Sequence, residues 1–215
     1  VLVDLLKTIL AAVLAVVQGT IDAWGYVGVA LLMAIESANV PLPSEMILPY
    51  AGYLVQLGKM DVHAAAFAGA VGCVLGSLPS YWLGQWGGRS FLLKYGKWLL
   101  VSEDDLDKAE RWTQKYGDWT FFICRMLPVV RTFISLPAGV LKARFWPFIL
   151  FTFLGSWIWS YGLVYVGIKF GENLEAFKHV WHQFDAVILL GLMFLGLLYI
   201  WKHVKPFFAA SKVNS

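Results

Sequence analysis

Charge is scarce in this chain. Asp, Glu, Lys and Arg make up 14% of its 215 residues, against about 25% in soluble domains. The net charge of +3 is too small to point to nucleic acid, and it fits a protein lying among anionic lipids. Cysteine is nearly absent. Cys73 and Cys124 sit in apolar runs, as small buried thiols do, and two cysteines supply neither a disulfide framework nor metal-ligand spacing. Histidine is as rare. His63 lies at the end of an apolar run, and His179, His182 and His203 lie in linkers or the tail. There is no Gly-x-Ser-x-Gly elbow and no His-Glu-x-x-His helix. The acidic run of Asp104, Asp105 and Asp107 falls on a surface helix. A phospho-enzyme route would need a nucleophile with an acid/base partner, and none is legible. No enzyme activity, metal or cofactor is therefore expected. The first apolar run, 9–17, is followed by Gln-Gly-Thr, so no cleavable signal is expected.

What the chain has is apolar mass: 59% hydrophobic and 16% aromatic residues. This is the composition of an all-α integral membrane protein. A spanning helix needs about 20 mostly apolar residues. Residues 62–86, 145–168 and 184–201 qualify. An N-terminal helix, 1–24, is a weaker candidate, because Asp4 and Lys7 load its start. It either spans or lies in the interface.

Two further apolar segments are broken. Residues 26–57 climb to Glu36, break at "NVPLPS" and resume. Residues 118–142 climb to Arg125, break at "MLPVVR" and resume. Each arm is too short to cross about 30 Å of hydrocarbon as one helix. Proline removes a backbone donor and clashes with the preceding turn. Such breaks are tolerated at membrane depth only inside protein or beside a watery cavity. Two re-entrant hairpins are the economical expectation, each followed by a long span.

The two segments resemble each other. Glu36 follows Gly28, and Arg125 follows Gly117, by eight positions. Prolines come next (Pro41, Pro128), then a second charge (Glu45, Arg131), then Ala-Gly (Ala51-Gly52, Ala138-Gly139). Paired broken segments in two halves point to a transporter's binding site. Lys and Arg cluster after residue 86 and after residue 201, which places the amphipathic linker 87–117 and the tail 202–215 in the cytoplasm. The first hairpin then enters from the other side, as an inverted repeat. Ser102 is the expected N-cap of a surface helix in the linker.

Four intramembrane charges stand out: Glu36, Glu45, Arg125 and Arg131. A charge at a membrane helix centre costs about 2.5–3.5 kcal/mol on insertion scales, so these should pair or line a hydrated cavity. They could be structural salt bridges between the hairpins. Alternatively, the arginines grip an anionic headgroup while Glu36 and Glu45 exchange protons. Arginine's planar fork suits phosphate oxygens, and a carboxyl in a dry pocket can titrate near neutrality. Asn39 either donates to a headgroup or caps a broken helix. Thr132 and Ser135 are expected to satisfy freed backbone groups. Trp157, Trp159 and Tyr161 either line a groove for a lipid tail or, as the better expectation, take ordinary lipid-facing or belt positions.

"ESANVPLPSEMILPYAGYL" followed by "CRMLPVVRTFISLPAGV" resembles the DedA family, also called the SNARE-associated or VTT-domain family. Glu36, Pro41, Pro43, Ser44 and Glu45 match its first signature. Arg125, Pro128, Arg131, Ala138 and Gly139 match its second. The likeness covers residues 25–170, and its wording is closest to the polyprenyl-phosphate group. "GSLPSYWLGQWGG" lacks the Gly-Asp pair that many members carry after the first hairpin. The resemblance implies opposed re-entrant hairpins in a multi-pass bacterial inner-membrane protein, with both termini cytoplasmic. It also implies transport of an anionic lipid phosphate such as undecaprenyl phosphate, with ion or proton coupling. The expected partners are membrane lipids, with a homodimer left open. A phosphatidylethanolamine translocase and a proton-coupled small-ion transporter are the competing expectations, and a structural assembly factor is a third.

Overall fold

A computed structural model describes residues 2–38, 40, 42, 44–95, 103–127 and 130–171. Asn39, Pro41, Pro43, Ser102, Pro128, the 184–201 helix, the 202–215 tail and the three C-terminal histidines lie outside the described residues. Within them all regular structure is helical. The order is α1 (Leu2–Trp24), α2 (Tyr26–Ser37), α3 (Ser44–Gln56), α4 (Val62–Tyr95), α5 (Glu103–Tyr116), α6 (Trp119–Arg125), α7 (Val130–Phe133), α8 (Ser135–Val140) and α9 (Phe145–Gly171).

Local chemistry sets the boundaries. α1 and α2 meet at Gly25, whose φ of 56° lies where residues with a Cβ are disfavoured. α3 carries Pro49, which leaves the Glu45 carbonyl without its helical donor. α4 is long but bends at Gly88, which departs from helical geometry. Two stretches, Val62–Arg89 and Phe145–Gly171, are long and apolar enough to cross a membrane.

α4 and α9 form the centre and run antiparallel. His63 meets Tyr161, Gly69 meets Ser160, and Tyr81 stacks on Phe148 at 4.8 Å between ring centroids. Two apolar cores hang on this pair. One joins α1, α2 and α3 to the start of α4 and the end of α9, around Val17, Met33, Ile47, Cys73 and Val164. The other joins α6 and α8 to Tyr81 of α4 and Phe148 of α9, with α5 as a lid through Ala109.

The broken segments pack crosswise. α2 lies along α4 and α6 along α9, whereas α3 lies on α9 and α8 on α4. The crossings rest on glycine. A Cβ on Gly52 would sit 2.1 Å from the Val164 carbonyl oxygen, and one on Gly167 would sit 2.1 Å from that of Pro49. In the second crossing a Cβ on Gly139 would sit 2.0 Å from the Tyr81 carbonyl oxygen, and one on Gly84 would sit 2.3 Å from that of Leu136. In each case the opposed carbonyl lies three residues before the partner glycine. Glycine at both sides lets the backbones touch, as membrane helices use small residues.

Candidate functional site

The breaks deliver charge to the centre. α2 ends one residue after Glu36, and α3 begins at Ser44. Both side chains are buried, as is Arg131 on α7. Arg131 Nη2 donates to Glu36 Oε1 at 2.5 Å and to Ser44 Oγ at 2.6 Å. Its guanidinium carbon lies 5.2 Å from the Trp159 ring centroid, a cation–π contact that desolvation strengthens. One arginine from the second segment thus binds both arms of the first and rests on α9.

Arg125 is held differently. It is 2% exposed, and its Nη2 donates to Ser77 Oγ at 2.6 Å and Ser135 Oγ at 2.8 Å. Ser77 in turn donates to the Cys73 carbonyl. Among the described residues no carboxylate lies within ion-pair distance of Arg125, and its Nε has no partner. Its stem lies flat on α9, where a Cβ on Gly155 would approach Arg125 Cβ to 2.7 Å. Glu36 Oε2 is also buried without a hydrogen-bond partner among the described residues.

Of the residues singled out from sequence, Glu36 and Arg131 therefore meet. Arg125 is buried on serine hydroxyls. Glu45, in the first turn of α3, is half-buried and makes no ion pair with a described residue. Two expectations need correction. Ser135 binds the Arg125 guanidinium rather than a freed backbone group. Trp159 lies beneath Arg131 rather than at a lipid-facing position, because the α3–α9 crossing turns that side of α9 inward. Ser77 was missed. Its only sequence signal is a serine two residues before Pro79 in an apolar span.

Beside the arginines, under α5, a cavity of 210 Å³ is lined by Trp112, Cys124, Leu127, Val130, Phe133 and Ile134 among others. Apart from Lys108 its walls are apolar, suited to a hydrocarbon chain. Among the described residues no three His, Cys, Asp or Glu side chains come together as a metal site.

Residues 42–169 match the VTT domain. A Bacillus subtilis relative named undecaprenyl phosphate transporter A is 36% identical, over 83% of this chain and 88% of its own. Another from the same organism, the membrane protein YkoX, is 37% identical over 89% of this chain and 86% of its own. A Lactococcus lactis protein named alkaline phosphatase-like is 36% identical over 89% and 92%. No solved structure matches the chain. With more than half its length matched by the domain and relatives at this identity across most of it, the chain is a membrane protein of the VTT-domain family.

Proposed function

We propose that this protein moves an anionic lipid phosphate of the polyprenyl-phosphate class between the leaflets of a bacterial inner membrane. The carrying observation is Arg125: a buried guanidinium on hydroxyl partners, with no carboxylate within ion-pair distance among the described residues. A fixed cation in so dry a place is costly, and a phosphate is the counter-charge its fork geometry fits. Arg131, tied to Glu36 and Ser44, is the second anchor. The hydrocarbon chain lies in apolar space such as the cavity under α5. The name of the Bacillus subtilis relative supports the choice of lipid.

In this reading residues 26–57 and 118–142 are re-entrant hairpins of an inverted repeat, entering from opposite sides, with both termini cytoplasmic. The matched glycine crossings support it, since equivalent arms meet the opposite repeat's long helix through equivalent glycines. Glu36 and Glu45 couple transport to protons. Protonating Glu36 would free Arg131 to take a phosphate oxygen, and half-buried Glu45 is the acid open to exchange. Asn39, in the break itself, adds a headgroup donor.

The test is reconstitution into liposomes with labelled polyprenyl phosphate. The parent should move the label between leaflets and respond to an imposed pH gradient. Arg125→Ala should abolish transport while the protein still folds and inserts. Release of inorganic phosphate, or movement of labelled phosphatidylethanolamine in place of polyprenyl phosphate, would overturn the reading. The first would favour the hydrolase implied by the Lactococcus relative's name.

A further inference from the structure

A hydroxyl inside a helix usually falls back on the carbonyl four residues earlier. Thr20 does so to Val16 at 2.7 Å, Ser77 to Cys73 at 2.5 Å and Thr113 to Ala109 at 2.8 Å. Thr152 and Ser160 of α9 do not. Both are 0% exposed, and neither hydroxyl has a hydrogen-bond partner among the described residues. Two full turns separate them, so they share one face of α9, about 12 Å apart along the axis. Gly155 and Ser156 lie between them and are also buried.

That stretch of α9 passes both arginines. Gly155 touches the Arg125 stem, and Trp159 underlies Arg131. Three more donors without a partner among the described residues lie along it: Arg125 Nε–H and the indole N–H groups of Trp157 and Trp159. Ser160 Oγ packs toward Gly69 of α4, where a Cβ would come within 2.8 Å of it, but that contact does not call for a hydroxyl. Alanine or valine would fill the same space without a buried polar atom left unsatisfied, which is costly in a dry interior. Five donors lacking acceptors among the described residues, on or against one helix between the two broken segments, call for a ligand that is all acceptor. A phosphate ester is such a group.

We propose that Thr152 and Ser160 are headgroup-binding residues that donate to phosphate oxygens as the headgroup passes along α9 between Arg125 and Arg131. The inference rests on the lipid-phosphate reading above. It assigns α9 a binding role that the charged signatures on the broken segments do not carry.

The experiment compares the parent, Thr152→Val, Thr152→Ser, Ser160→Ala and Arg125→Ala. Each is reconstituted in phosphatidylglycerol–phosphatidylethanolamine vesicles with labelled polyprenyl phosphate, and each is also melted in detergent. Thr152→Val and Ser160→Ala should each slow transport about tenfold or more, the loss of one hydrogen bond to a charged group. Their melting temperatures should hold or rise, because an unsatisfied buried hydroxyl has been removed. Thr152→Ser, which keeps the hydroxyl, should transport like the parent. A fall in melting temperature alongside the rate would assign the hydroxyls to packing and overturn the inference. So would parental rates in both hydroxyl variants while Arg125→Ala is inactive, an outcome that leaves the lipid-phosphate reading standing. If Arg125→Ala also transports normally, that reading fails and the α9 inference falls with it.

Discussion

The first broken segment is made of two helices, 12 and 13 residues long. The second is made of pieces of 7, 4 and 6. The longer pieces carry the acids and the shorter ones carry both arginines. Their outer fastenings differ too. The first is tied by neutral donors: Tyr50 to Asp22 at 2.9 Å, and the Asp61 amide to the Tyr26 hydroxyl at 2.7 Å. The second is tied by an ion pair, Arg144 to Asp118. Short helices leave more backbone ends to satisfy, so the arginine-bearing segment depends more on its neighbours. The acid-bearing segment is built from longer helices, and the basic one leans on the elements packed around it.

The sharpest way to break that comparison is to remove each arginine. Arg131→Ala leaves Glu36 buried without its partner, which costs about 3–5 kcal/mol. Arg125→Ala removes a charge that has no ion-pair partner among the described residues, and hydroxyls are the partners that lose a donor, so its cost should fall well below that of Arg131→Ala. Both should abolish transport. Thermal unfolding in detergent, read beside the liposome assay, separates the two effects. Adding Glu36→Ala to Arg131→Ala should recover part of the lost stability. A double variant as unstable as the sum of its parts would show that the pair is not coupled.

Next in size are the two glycine crossings. Gly52→Ala and Gly139→Ala each force a methyl into an opposing carbonyl, and overpacking of this kind costs about 1–3 kcal/mol. If the crossings are equivalent, the two losses should agree to within about 0.5 kcal/mol, the limit to which independent sites are compared. A large disparity would mean that one crossing yields and the other does not, and would weaken the repeat.

These effects also mark what the sequence could reveal. Glu36 and Arg131 were legible because a charge among apolar residues is expensive and must be answered. The helix limits at Gly25 and Gly117 were legible because glycine alone adopts those backbone angles cheaply. The Ala-Gly pairs were visible, but their partners Gly84 and Gly167 were not, since both spans are rich in glycine and only the crossing selects one. The same holds for Ser77 and Ser135. A serine in an apolar helix can satisfy itself on its own backbone, so its service to a guanidinium on another helix leaves no local trace. Trp159 reads as one of many membrane tryptophans until the fold places a cation above it.

The smallest difference between the segments lies where each ends. After α3 the amide of Lys59 bonds the Leu54 carbonyl and that of Gly58 bonds Val55. After α8 the amide of Ala143 bonds the Ala138 carbonyl and that of Lys142 bonds Gly139. These are the same C-terminal cap, in which the residue just past the helix takes a left-handed conformation. Gly58 does so at φ 71° without a Cβ, whereas Lys142 does so at φ 51° with one. Lys142→Gly should therefore stabilise the protein by about 0.5–1 kcal/mol, less the entropy that glycine adds to the unfolded chain, and Gly58→Ala should destabilise it by about 1 kcal/mol. The melting temperature decides both. If Lys142→Gly destabilises instead, the lysine head makes a contact worth more than the strain its backbone carries, and the second segment's end is held by charge, as its outer fastening is.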